Sequence, residues 1–188
     1  MNSHRPHDTA PVPTAGTHVR GMTDADCEAV ARIRIRGWQT AYAGLMPAPY
    51  LAALSVEEDT ARRRELLARA GSPVVNLVAE RAGEVVGWAC HGPLRDDDVP
   101  AGDAELYAIY VRADLLSTGV GRALVDVTLE RCAAAGHGRI RLWVVEGNTR
   151  ARRFYERAGF APDGAEEPYE VAGASVPEVR YLRALRTP

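Results

Sequence analysis

Tyr110-Val111-Arg112-Ala113-Asp114-Leu115-Leu116-Ser117-Thr118-Gly119-Val120-Gly121-Arg122-Ala123-Leu124 reads as the end of a strand, a loop, and the first turn of a helix opened by two glycines. Upstream, residues 105–111 (Glu-Leu-Tyr-Ala-Ile-Tyr-Val) are β-rich and aromatic. Downstream, helical spacing runs from 119 to 135. Its polar stripe is Arg122, Asp126 and Glu130, and the other positions are apolar, as in a helix lying on a sheet. Glycine allows backbone to approach a ligand closely, and the first helical turn points unpaired N–H groups outward. Together they form an anion site suited to a pyrophosphate. Taken alone, Gly119-x-Gly121 reads equally well as a tight turn with close helix packing. A dinucleotide-binding fingerprint is set aside, because Leu124 stands at its third glycine position.

Working outward, the order of elements is β-α-α-β-β-β-α-β-α-β-β. A short strand over 18–22 precedes a helix that Thr23 and Asp26 begin as cap and acid. Pro47 and Pro49 end that pattern, and a second helix spans 56–70. Strands at 74–80 and 84–90 flank the hairpin turn Arg81-Ala82-Gly83. After the central loop come a strand over 139–146 and a helix capped by Asn148 or Thr149. That helix carries Ala151, Phe154, Tyr155 and Ala158 on one face and ends at Gly159. A last hairpin joins 166–171 to 176–185 around Ala172-Gly173-Ala174-Ser175. Residues 1–16, rich in Pro, His and Thr and lacking an apolar run, read as a loose tail before one domain over 17–188.

Composition removes several classes. The chain of 188 residues is 46% hydrophobic with a formal net charge of −2, which favours neither nucleic acid nor an anionic membrane. No apolar stretch is long enough to span a bilayer, and a cytoplasmic location is expected. All 23 basic residues are arginine. Without lysine there is no P-loop, no kinase strand lysine and no Schiff-base chemistry. Cys27, Cys90 and Cys132 lie in apolar segments as core thiols, and no metal-ligand spacing occurs. The bias toward arginine and alanine suggests a bacterial source.

The loop and the later stretch Leu142–Phe160 (LWVVEGNTRARRFYERAGF) together resemble the GNAT superfamily of N-acetyltransferases. That family's signature is Q/R-x-x-G-x-G/A after a strand, followed by a helix, and the later motif is a strand, an Asn, then a helix bearing Phe-Tyr and ending Gly-Phe. The resemblance runs from about residue 19 to the C-terminus and is densest at 105–124 and 142–160. It implies an α/β fold, with about seven strands in a mixed, mostly antiparallel twisted sheet flanked by helices and a V-shaped cleft after the fourth. It also implies acetyl-CoA as acyl donor, a primary amine of a small molecule as acceptor, direct attack in a ternary complex, and no metal. Homodimers are common among the proteins it resembles. The chain departs from the signature at two positions, Leu116 for Gln or Arg and Ser117 for a common glycine. Backbone amides still bind phosphate there, but serine tolerates fewer backbone conformations.

By resemblance, Leu116, Ser117, Thr118, Gly119, Val120, Gly121 and Arg122 cradle the pyrophosphate, although Arg122 also fits the exposed stripe of its helix. Ile109, Tyr110 and Val111 offer backbone to the pantetheine arm and to the thioester carbonyl. Asn148 contacts the arm or caps its helix, and Arg152 joins the cofactor-binding set. Tyr155 protonates the departing thiolate, or else is a core aromatic. Glu105 is the expected general base, or else a solvated acid at a strand end, with Glu146 as alternate base. Strand alternation sets Glu105, Tyr107, Ile109 and Val111 on one face, unless the strand is bulged as the family often has it. Trp38 and Tyr42, one helical turn apart, border the acceptor pocket or pack in the core. Asp96-Asp97-Asp98 attracts a cationic amine or is merely solvated. The competing functions are peptide or protein N-acetylation and a non-catalytic acyl-CoA sensor.

Overall fold

The computed structural model describes residues 16–96 and 102–185. The proposed tail therefore lies outside the described residues, Gly16 excepted, as do Asp97 and Asp98. Seven strands form one open sheet in the order β1-β2-β3-β4-β5-β7-β6. They are β1 (His18–Gly21), β2 (Val75–Arg81), β3 (Glu84–Pro93), β4 (Ala104–Val111), β5 (Arg139–Val145), β6 (Ala161–Val171) and β7 (Ala174–Ala184). Every pairing is antiparallel except β4 with β5.

That one parallel pairing has only two registered positions, Ala104 with Ile140 and Glu105 with Arg141. Beyond Glu105 the two strands part, and residues 106–111, Tyr107 excepted, keep ladder partners only on the β3 side. The result is a V-shaped cleft after the fourth strand. It exposes an edge of backbone donors and acceptors that a sheet interior would have satisfied.

Helices cover both faces. They are α1 (Cys27–Ala41), α2 (Ala48–Ala52), α3 (Val56–Leu67), α4 (Val120–Ala134) and α5 (Thr149–Arg157). On one face, Val120, Leu124 and Val125 of α4 and Tyr155 of α5 pack on Leu77, Ala89, Leu106, Leu142, Val144 and Tyr181 of the sheet. Each such aliphatic side chain stabilises the fold by about 2 kcal/mol when fully buried. On the other face, Val30 of α1 meets Val78, Trp88 and Cys90, while Trp38 joins Met46, Leu51, Val145, Val171 and Val176. All three cysteines are free and buried in these layers.

Four local features differ from the sequence reading. Residues 48–52, read as a break at Pro47 and Pro49, form the short helix α2, because Pro49 in the first turn gives up only an N–H that has no partner there. Thr23 caps a 3-10 turn (Asp24–Asp26), and α1 proper begins at Cys27. The Asp26 carboxylate accepts from the Thr23 N–H and from Arg20, whose guanidinium holds its carboxyl down to about 2. Strand β6 starts at Ala161 rather than near 166. Pro162, Asp163 and Gly164 are tolerated because β6 is an edge strand with a register shift between Pro162 and Glu166. Finally, the β6–β7 hairpin turns on Ala172-Gly173 alone, both at positive φ (48° and 78°), a tight turn whose twist matches its strands.

Candidate active site

The signature loop sits where β4 leaves the sheet. Gly119 adopts φ 93° and starts α4 without any side-chain cap. The first-turn N–H groups of α4 are thus left for a ligand, at the positive end of the helix dipole. Gly121 is needed for a different reason: a Cβ there would lie 3.2 Å from the Phe154 ring. Ser117 lies in the left-handed region at φ 66°, where a non-glycine residue is strained by roughly 1 kcal/mol. The glycine usual at this position would carry no such strain.

Two arginines that the sequence reading did not single out flank this loop. Arg81 at the end of β2 donates to the Thr118 hydroxyl and carbonyl at 3.1 and 2.7 Å. Arg150 of α5 donates to Ser117 Oγ at 3.3 Å. Neither is near the loop in sequence, and the only prior signal was that both sit at the ends of their elements. Thr118 spends its own proton on the Leu115 carbonyl. Leu116 presents no polar atom to a phosphate. Arg122 is exposed and paired with Asp126 at 2.8 Å, the stripe pairing of an exposed helix face.

Ile109, Tyr110 and Val111 form the β4 wall of the cleft. Their side chains do not follow simple alternation from Glu105. The β3–β4 register shifts between Cys90 and His91, leaving Tyr107 as the extra residue. Consequently Leu106, Ile109 and Val111 face α4, whereas Tyr107, Ala108 and Tyr110 face α1. Tyr110 stacks on Trp88 with ring centroids 6.3 Å apart, and burial pushes its phenol well above the ordinary range.

Tyr155 is 8% exposed and lies between Phe154 and Phe160. Its hydroxyl makes no hydrogen bond among the described residues, and desolvation raises its pKa, so the group stays a neutral O–H donor. Asn148 caps α5 by accepting from Ala151 N at 3.1 Å, which leaves its side-chain amide N–H groups uncommitted by that bond. Arg152 donates to the Tyr181 hydroxyl at 3.0 Å and to the Glu146 carbonyl. Glu146 itself is exposed at the strand end.

Glu105 is 1% exposed, and its carboxylate accepts three N–H bonds, from the Arg95 backbone, Nε and Nη2. An acid so engaged is an anchor for Arg95, which lies 4.3 Å over the Tyr107 ring. Asp96 is likewise occupied, by Trp143 Nε1 and by Arg180 at 2.8 Å. On the α1 face, Trp38 and Tyr42 meet edge to face at 5.2 Å. Tyr50 and Tyr169 complete an aromatic wall around Trp38. The Tyr42 hydroxyl lies 3.4 Å from that of Tyr110. The Trp38 indole N–H is buried without a partner among the described residues.

An open sheet parted after its fourth strand, with a glycine-started helix at the parting, is the arrangement expected of the acyltransferases that the sequence resembles. The acetyltransferase (GNAT) family matches residues 38–160. The N-acetyltransferase YuaI of Bacillus subtilis, itself uncharacterised, is 31% identical over 176 residues, covering 90% of this chain and 96% of its own. A Pseudomonas aeruginosa L-methionine sulfoximine/L-methionine sulfone acetyltransferase is 32% identical over 97 residues, 52% of this chain and 55% of that one. The structure of yncA from Salmonella typhimurium, solved with acetyl-CoA, superposes with a TM-score of 0.67 at 21% identity, covering 92% and 95% of the two chains. The chain belongs to the GNAT family of acetyltransferases, and it is an acyltransferase enzyme.

Proposed function

We propose that the protein moves an acetyl group from acetyl-CoA to the primary amine of a small molecule, by direct attack within a ternary complex. The observation that carries this reading is the uncapped glycine start of α4 beside the open edge of β4. The first supplies amides for a pyrophosphate, and the second supplies a strand edge for the amide-bearing pantetheine arm. Arg81 and Arg150 add positive charge where Leu116 cannot. A backbone N–H of the segment 109–111 then polarises the thioester carbonyl, and Tyr155 donates to the departing thiolate.

Acceptor binding falls to the α1 side of the cleft, at Trp38 and Tyr42. The small-molecule reading draws on the P. aeruginosa relative, named an L-methionine sulfoximine/L-methionine sulfone acetyltransferase. It also draws on the aromatic wall of Trp38, Tyr42, Tyr50 and Tyr169, which suits a compact ligand better than an extended chain. The test is thiol release from acetyl-CoA across a panel of primary amines, amino acids and amino-terminal peptides. Release with small amines supports the reading. Release with peptides alone favours protein acetylation, and tight acetyl-CoA binding without release favours a sensor.

A further inference from the structure

Glu178 lies on β7 opposite Val145 of β5 and Glu167 of β6. Residues directly opposed on neighbouring strands present their side chains to the same face. Val145 packs with Trp38 and Met46, so Glu178 shares the α1 face on which Trp38 and Tyr42 stand. It is half-buried.

Four other half-buried or buried acids are held by arginine. Asp96 takes Arg180, Asp103 takes Arg139 and Arg141, Glu105 takes Arg95, and Asp163 takes both Arg141 and Arg180. Glu178 alone among these has no ion pair or hydrogen bond among the described residues. Its charged and titratable neighbours are Glu167 and Tyr169 from β6, Tyr42 from α1, Glu105 from β4, and Arg95 from the segment after β3. Burial, then the charge of Glu167, push its carboxyl up to about 7, with Arg95 opposing and Glu105 adding. A group with that value is half-ionised near neutral pH, the condition under which a carboxylate works as a general base.

We infer, on the reading that the chain acetylates amines, that Glu178 rather than Glu105 removes the proton from the acceptor ammonium, directly or through one water. The ammonium N–H bond breaks and its proton passes to the Glu178 carboxylate. The freed lone pair forms the N–C bond at the thioester carbon, and the C–S bond then breaks. One proton ends on sulfur and one is released, so the products are the amide, the CoA thiol and a proton.

The experiment compares pH profiles of wild type, Glu178→Gln and Glu105→Gln with an amine that the wild type accepts. The wild-type kcat/KM for the amine should rise with pH to a plateau with its midpoint near 7. Glu178→Gln should lose roughly 10²-fold on the plateau, together with that rising limb, while KM for acetyl-CoA stays within about twofold. Glu105→Gln should keep the limb. A merely structural Glu178 would lower the melting temperature and leave the limb in place. Should Glu178→Gln fail to fold, Glu178→Asp should restore folding with the limb displaced from its wild-type midpoint, and an unmoved limb overturns the assignment. Glu178→Gln activity within about threefold of wild type, with the same limb, overturns it while leaving acetyl transfer intact. Absence of any amine-dependent turnover in the wild type overturns acetyl transfer and the base together.

Discussion

Tyr155→Phe should lower kcat by roughly 10²-fold, about 2.7 kcal/mol of barrier, with little change in KM for either substrate and little change in stability. The argument turns on the hydroxyl's isolation. Tyr155 is 8% exposed and its hydroxyl makes no hydrogen bond among the described residues, so removing that hydroxyl leaves no partner unsatisfied. The ring remains, and with it the edge contacts at 5.4 Å to Phe154 and 5.9 Å to Phe160. A loss of rate without a loss of melting temperature would separate proton donation from core packing, because packing is conserved in the variant. Steady-state kinetics with a differential scanning trace on the same preparation checks it. A kcat within about twofold of wild type would return Tyr155 to a packing role.

Asp163→Ala should be the most destabilising single change of those considered, by about 3 kcal/mol. Asp163 lies at the bulged start of β6 and accepts from Arg141 of β5 and Arg180 of β7, both only 6% exposed at the side chain. Removing a carboxylate shared by two buried guanidiniums leaves their charge incompletely compensated, which costs more than an exposed pair would. Arg141 keeps Asp103 and Arg180 keeps Asp96, which puts the cost at the lower end of the range for broken buried pairs. For a domain of this length the melting temperature should fall by roughly 10 °C. Activity should fall as well, since β7 carries Glu178 and is tied to β5 through this cluster. A thermal midpoint within about 2 °C of wild type would show that the cluster is not cooperative.

The sequence showed the frame of this molecule more clearly than its polar chemistry. Period-2 and helical spacing located all seven strands and four of the five helices, because each element has an apolar face to bury. What misread the edges was local chemistry overridden by position: Pro49 inside α2 and Pro162 inside an edge strand both look like breakers in isolation. The glycine loop before α4 was legible because its requirements are local, a glycine at φ 93° and another against Phe154. Its long-range partners were not legible. Arg81 and Arg150 reach it from β2 and α5, and no spacing rule links residues 81, 118 and 150. The acids show the same limit more sharply. Glu105 stood out as the acid opening the central strand, yet only the fold shows Arg95 occupying it. Glu178, inside an edge-side hairpin with no motif around it, is distinguished only by which neighbours it lacks.

The most direct test of acetyl transfer in one cleft is an initial-rate matrix varying acetyl-CoA against an accepted amine. Direct attack in a ternary complex predicts intersecting double-reciprocal lines, CoA release only when the amine is present, and no acetylated enzyme on quenching. Parallel lines with a trapped acetyl-enzyme would contradict it, because they require a covalent intermediate on the protein before the amine binds.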